Sequence, residues 1–150
     1  MVYHIGMKTI GISSCLLGNK VRYDGQDMRN EKLLKLLEGH KLIPLCPETM
    51  GGLETPRFPC EISNNIVINS ENENKTAYFL KGSNICLDLI RNCDFVILKQ
   101  KSPSCGYGKI YDGSFSGKLI KGNGIFTRLC LENKIKVFSE EDLEEIKKFL

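Results

Sequence analysis

The sequence contains no Cys-x-x-C pair, no apolar run long enough to cross a bilayer and no large excess of either charge. Each absence removes a class of protein. Without Cys-x-x-C, the paired-thiol signature of disulfide oxidoreductases is missing. A membrane-spanning helix needs about 20 consecutive apolar residues, and nothing here approaches that length. A net charge of +3 is too mild for a dedicated nucleic-acid binder, so no stable nucleic-acid complex is expected, although an anionic small ligand would be tolerated. Met1 to Gly6 lacks the basic start and apolar stretch of a secretory signal, so neither export nor membrane insertion is expected. Met7 stands directly before the first strand pattern, so residues 1–6 read as a dispensable N-terminal extension, disordered or tag-derived, and 7–150 as one domain. Histidine is scarce too: there are two, His4 and His40, and neither lies in a loop that carries chemistry.

Seven cysteines are present. The number is odd and no export signal accompanies it, so reduced thiols in the cytoplasm are a better reading than a disulfide framework. Hydrophobic residues make up 41% of the 150 residues and charged residues 26%, a normal globular balance for one compact domain. Lys8 to Ser13 reads as an apolar strand followed by a turn through Gly18. Met28 to Glu38 has leucines at helical spacing, with Gly39 as its stop. Lys41 to Leu45 is a second strand, and Pro44 inside it predicts an edge or irregular position. The segment from Cys46 to Pro59 is rich in Pro and Gly. Ile62 to Asn69 offers a short extra strand or hairpin. Thr76 to Asn92 is a helix, Asp94 to Lys99 a buried-type strand, and residues 100–124 are too rich in Gly, Ser and Lys to be regular throughout. Ile125 to Asn133 reads as helix, Lys136 to Phe138 as a last strand, and Ser139 to Leu150 as a helix whose start has Asp142 three residues beyond Ser139. Strands alternating with helices predict an α/β fold: a single-domain, doubly wound, Rossmann-like, mostly parallel sheet with helices on both faces.

Three cysteines share a structural position on this reading. Cys15 follows the first strand, Cys46 follows the second, and Cys105 lies in the loop after Leu98. In an open parallel sheet, the loops leaving the carboxyl ends of neighbouring strands converge in one crevice. Thiols far apart in sequence can therefore meet there, but spacing alone does not identify a metal. Cys86, Cys93 and Cys130 lie on or beside helices, and Cys60 sits in a Pro-flanked loop with no strand leading into it. These four read as small buried hydrophobes. Glu48 follows Cys46-Pro47, and Ser102 precedes Pro103-Ser104-Cys105. Taken singly, Glu48 reads more readily as a solvated loop acid and Ser102 as a turn former.

Together, these residues resemble a known family. Cys-Leu-Leu-Gly at 15–18, Arg-Tyr-Asp-Gly at 22–25, Cys-Pro-Glu at 46–48, Gly-Gly-Leu at 51–53 and Thr-Pro-Arg at 55–57 match its motifs. So do Ser-Pro-Ser-Cys-Gly at 102–106, Gly-Lys-Ile-Tyr-Asp-Gly at 108–113 and Phe-Ser-Gly-Lys-Leu at 115–119. The chain is identified by them as a member of the thiouracil desulfidase family, over a stretch from about Met7 to the end. The resemblance implies a [4Fe-4S] cluster held by Cys15, Cys46 and Cys105, with Glu48 and Ser102 catalytic. It implies a thiolated uracil compound as substrate and, as partner, the machinery that assembles iron–sulfur clusters. One departure is informative: many relatives carry a cysteine before Arg-Tyr-Asp-Gly, where this chain has Val21, so that position supplies no fourth ligand.

The chemistry is consistent with these residues. Three thiolates leave one iron of a cluster open, and a soft thiocarbonyl sulfur suits it. Glu48 is placed to act as acid and base on water, and Ser102 to orient it. Arg57, Lys109, Lys118 and Lys121 lie in Gly-rich segments on the predicted ligand side. As a group they favour a nucleotide such as a thiouridine monophosphate over the bare base; each taken alone reads as a solvated loop tip. Backbone amides of 117–124, leading into the helix near Ile125, are a further candidate for phosphate. Arg22, Tyr23 and Asp24 are candidates to contact the ligand; alternatively, Asp24-Gly25 is simply a turn. Two rival readings are a cysteine-based redox enzyme, and a non-catalytic module whose three thiols hold zinc with help from His4 or His40.

Overall fold

The computed structural model describes residues 6–150, so apart from Gly6 the expected extension lies outside the described residues. The chain begins with strand β1 (Thr9–Ser13) and a single 3-10 turn (Ser14–Leu17), then helix α1 (Glu31–Leu36), β2 (Lys41–Leu45) and the one-turn helix α2 (Pro47–Met50). A hairpin, β3 (Cys60–Ser63) and β4 (Ile66–Asn69), precedes the long helix α3 (Thr76–Leu89) and β5 (Phe95–Leu98). A second hairpin, β6 (Lys109–Tyr111) and β7 (Leu119–Lys121), is followed by α4 (Ile125–Glu132), β8 (Val137–Ser139) and α5 (Leu143–Lys147).

Four strands make the parallel sheet, in the order β2-β1-β5-β8. Alternation along the strands sorts its two faces. Ile10, Ile12, Phe95, Ile97 and Phe138 pack with Leu33 and Leu37 of the α1 segment and Ile146 of α5. Leu45, Val96, Leu98 and Val137 pack with Cys86 and Leu87 of α3 and Phe126 and Cys130 of α4. Helices thus cover both faces, as the near-continuous apolar run of β5 requires. Gly11 turns toward the α3 face. A Cβ there would lie 2.9 Å from both Ile90 and Val96, so only glycine lets α3 settle this close.

Pro44 does lie on an edge strand, β2, opposite Ile12, where its missing amide disrupts no inner ladder. Helix boundaries differ from the periodicity. The α1 helix begins three residues later than Met28 because Asn30 caps it, accepting the Leu33 amide at 3.0 Å. Ser139 ends β8 and does not open the last helix. Asp142 nonetheless reaches back to the Ser139 amide at 2.8 Å, the contact of a capping box displaced into the turn before α5.

The two hairpins are additions to this core. Cys60 is the first residue of β3, which corrects the loop assignment. The Gly-rich stretch 100–124 contains β6 and β7, paired antiparallel from Lys109–Lys121 to Tyr111–Leu119. Buried Cys60, Ile62, Val67, Phe79, Ile110 and Ile125 form a separate small core beneath them. That core joins the hairpins to α3 and α4.

Candidate active site

The sheet order reverses at β1: the chain moves to β2 on one side, then to β5 and β8 on the other. Ligands of open α/β sheets bind outside the carboxyl ends of strands at such a point. A cleft of about 750 Å³ opens there, and Cys15, Cys46 and Cys105 all line it. Cys15 and Cys105 are buried and Cys46 half-buried, and all seven cysteines are free. The four remaining cysteines do not share this arrangement. Cys86, Cys93 and Cys130 pack in the core between the sheet and its helices, while Cys60 reaches the cleft wall from β3.

The loops of Cys46 and Cys105 are each fixed by a close backbone approach. The α2 turn, which carries Cys46 and Glu48 at its start, lies directly on α3. A Cβ on Gly82 would fall 1.6 Å from the Pro47 carbonyl oxygen, and one on Gly51 2.0 Å from that of Tyr78. A glycine inside a helix costs about 1 kcal/mol relative to alanine, and the contact with Pro47 is the reason Gly82 is there. The Cys105 loop is clamped from α4. The Ile125 and Phe126 amides donate to the carbonyls of Pro103 and Ser104 at 2.8 and 2.9 Å, and the Gly124 amide to Gly106 at 2.8 Å. The first turn of α4 therefore holds the Ser-Pro-Ser-Cys loop, and these amides are already used by the protein. They are not free for a phosphate.

Glu48 lines the cleft as the centre of a polar network. Its Oε1 forms an ion pair with Arg57 Nη2 at 3.0 Å and accepts from Nε at 3.3 Å. Its Oε2 accepts from the Ser104 hydroxyl at 2.7 Å. Ser102 Oγ accepts the Cys105 amide at 2.7 Å and lies 3.3 Å from Ser104 Oγ. Glu48, Ser104 and Ser102 thus form a continuous chain that ends on the backbone of a candidate iron ligand. Ser104 was missed in the sequence. Flanked by Ser102 and Cys105, it carried no signal that its partner would be a carboxylate 56 positions away. Arg57 is fully engaged: besides Glu48 it donates to the carbonyls of Glu54 and Val21 and to the Thr55 hydroxyl. It positions Glu48 and has no donor left for a phosphate.

The other expected ligand residues divide. Arg22 lines the cleft, paired with Asp24 at 3.3 Å. Asp24 is outside the lining; it accepts the Gln26 amide at 3.0 Å, while the Gly25 amide donates to the Arg22 carbonyl at 2.9 Å. The Asp24-Gly25 pair is therefore a turn. Lys109 and Lys121 face each other across the second hairpin and are exposed, as is Lys118; none of the three lines the cleft. Lys99, which had no assigned role, does line it. Its ammonium donates to the Gln100 carbonyl at 3.1 Å and lies 3.8 Å from Glu140.

Burial governs the thiols. It pushes Cys15 up to about 11, with the Lys99 ammonium pulling the other way. It raises Cys105 as well, against hydrogen bonds with Ser13 and Ser104. Cys46 adds to the rise at Cys15, and Cys46 and Cys15 add to that at Cys105, as neighbouring negative charges do. Cys60, Cys86, Cys93 and Cys130 are raised as well, by burial first. A redox cysteine needs a depressed pKa, so these six thiols argue against the redox rival. Among the described residues, no three His, Cys, Asp or Glu side chains converge tightly enough for a single metal ion. His40 is at the far end of the sheet, accepting the Lys8 amide at 2.9 Å, and His4 lies outside the described residues. The zinc rival thus lacks a ligand set. A [4Fe-4S] cluster makes a different demand: one thiolate per iron, spread around a cube. Three thiols opening into one cleft suit that demand, and binding iron would offset the cost of ionising them in a buried place.

Comparisons with known proteins show the family of the chain. The family described as 2-thiouracil desulfurase matches residues 10–142. An uncharacterized protein of Bacillus subtilis (strain 168), YbbK, is 37% identical over 147 residues, covering 90% of this chain and 97% of that relative. The solved structure of a [4Fe-4S]-dependent thiouracil desulfidase, TudS, is similar with a TM-score of 0.86 and 40% identity. The similarity spans 92% of this chain and 94% of that one. The chain belongs to the 2-thiouracil desulfurase family.

Proposed function

We propose that this chain holds a [4Fe-4S] cluster on Cys15, Cys46 and Cys105. We propose further that it converts a thiolated uracil compound to the oxo form with release of hydrogen sulfide. The observation that carries the reading is a single cleft lined by the three strand-end cysteines, Cys15, Cys46 and Cys105, together with Glu48, whose carboxylate is held by Arg57 and Ser104. When bound, the cluster supplies an open iron, a soft Lewis acid suited to a thiocarbonyl sulfur.

The side chains supply the proton chemistry. Arg57 fixes Oε1 of Glu48, leaving Oε2 to face the serines. A carboxylate oxygen accepts more than one hydrogen bond, so Oε2 can hold a water while it accepts from Ser104. Glu48 takes a proton from that water as its oxygen adds to the ring carbon and returns it to the sulfur; the second proton passes from the added hydroxyl to the sulfur as the carbonyl forms and the carbon–sulfur bond breaks. Water and thiocarbonyl become carbonyl and hydrogen sulfide, with no net electron transfer. Ser102 holds the Cys105 amide and, through Ser104, keeps the hydrogen-bond chain to Glu48 continuous. Lys99 places a positive charge beside Cys15, which favours the anionic thiolate and sulfide. Arg22, expected to contact the ligand, lines the cleft, and its positive charge supports a thiouridine monophosphate over the free base. The cluster itself would come from the iron–sulfur assembly machinery.

The test is anaerobic reconstitution with iron and sulfide, followed by incubation with 2-thiouracil and with a thiouridine monophosphate. The expected result is the broad visible absorption of an iron–sulfur cluster and equimolar release of sulfide and oxo product. A protein that takes up the cluster and releases sulfide from neither compound would overturn the reading.

A further inference from the structure

Three motifs contribute an aromatic residue with no part in the proton or iron chemistry: Tyr23, Tyr111 and Phe115. All three line the cleft. Phe115 also has an unusual backbone. Its φ is +57°, a left-handed conformation that a bulky side chain adopts only when its surroundings impose it.

Here the surroundings do impose it. Glu61 of β3 is 8% exposed, and its Oε1 accepts both the Gly113 amide at 3.0 Å and the Phe115 amide at 3.1 Å. Gly113 has φ +94°, and a Cβ there would lie 2.7 Å from the Ile62 carbonyl oxygen, so the loop is pressed onto β3. Asp112 holds the Ser114 amide and hydroxyl as well. A loop that merely closed a hairpin would favour Gly or Asn at a left-handed position. Instead a buried carboxylate on another strand holds a phenylalanine there, at the cleft wall.

We infer that Phe115, supported by Tyr111 and Tyr23, is the surface on which the flat ring of the substrate stacks, and that Glu61 is the positioning residue that holds it. The inference rests on the thiolated-uracil reading of the cleft. Its physical need is plain: an iron–sulfur contact fixes one atom, and the ring can still swivel about it. Holding the ring's face brings the ring carbon into line with the water on Glu48, and such orientation accounts for much of catalysis.

Because the chain contains no tryptophan, Phe115→Trp introduces a single indole at the proposed surface. Titrating the cluster-loaded variant with uracil, which has no sulfur to bind iron, should change its fluorescence saturably. Phe115→Ala should raise KM for 2-thiouracil roughly ten- to a hundredfold, the size of base–aromatic stacking, with iron content and visible spectrum unchanged. Phe115→Tyr should restore KM, and Glu61→Gln should raise it by less than Phe115→Ala. An unchanged KM in Phe115→Ala, loss of iron in that variant, or an indole blind to uracil in a protein that turns over would each overturn the inference. An indole that responds to uracil in a protein releasing no sulfide would support the stacking surface and overturn the desulfidase reading instead.

Discussion

The two walls of the cleft are built by different means. One wall, with Cys15, Cys46 and Cys105, grows from the ends of parallel strands; β1 and β5 have completely buried centres, among them Ile10, Ile12, Val96, Ile97 and Leu98, while β2 lies at the edge. The other comes from two-stranded hairpins, and all three residues of β7 are exposed. A strand inside a four-stranded sheet is held by neighbours on both sides and by helices above and below. An isolated two-stranded ribbon is marginal and depends on ties such as Glu61 to Phe115. The proposed cluster ligands therefore stand on the stiff wall, where three separated loops must keep one geometry. The hairpin wall can change its side chains without disturbing the core.

The largest contrast is predicted among the cysteines themselves. Cys15→Ala, Cys46→Ala and Cys105→Ala should each lose iron and turnover almost completely after reconstitution. Cys86→Ala and Cys130→Ala should keep both, with thermal stability lowered by the small cavities they leave. Full iron and activity in any of the first three would break the assignment of that wall.

Next in size is Glu48→Gln, which keeps the side chain's shape but cannot accept a proton. General acid–base catalysis contributes about 10²–10⁴-fold, and kcat should fall by that factor with the cluster spectrum unchanged. Turnover near the normal rate would remove Glu48 from the mechanism, and loss of the cluster would make its role structural.

Gly82→Val examines the support behind the stiff wall. The added carbons meet the Pro47 carbonyl, and overpacking of this kind costs about 1–3 kcal/mol. Denaturant titration should show that loss, with weaker retention of iron because α2 carries Cys46 at its cap. A stability equal to the parent's would mean that α2 yields more readily than the geometry indicates.

The smallest effect is expected on the hairpin wall, where Lys109→Ala and Lys121→Ala remove an exposed cross-strand pair of like charges. Neither should alter KM for a thiouridine monophosphate by more than about twofold, since surface changes of this kind are worth under about 0.5 kcal/mol. A tenfold rise specific to the nucleotide would return these lysines to the substrate site.

Much of this molecule is legible in the order of its residues. Alternating strand and helix patterns specify the parallel core, and Pro44 places β2 at its edge, because a residue without an amide cannot serve an inner ladder. The positions of Cys15, Cys46 and the loop of Cys105 after strand patterns bring the three thiols together, since strand ends of one sheet share a crevice. The β6–β7 hairpin was hidden in the composition of 100–124: its strands are three residues each, too short for alternation to show.

What the chain determined by itself is the framework and its thiols, because apolar periodicity and strand-end position are local properties. What only the tertiary structure decided is the use of each polar group. Arg57 is bound to Glu48, and Ser104 stands beside that carboxylate ahead of Ser102. The α4 amides are taken by the Ser-Pro-Ser-Cys loop, and Glu61 holds Phe115 at the cleft. Each of these contacts joins groups from different loops or elements, at separations that run from 9 to 56 residues. A hydrogen bond depends on where folding brings its two ends, which no local pattern encodes.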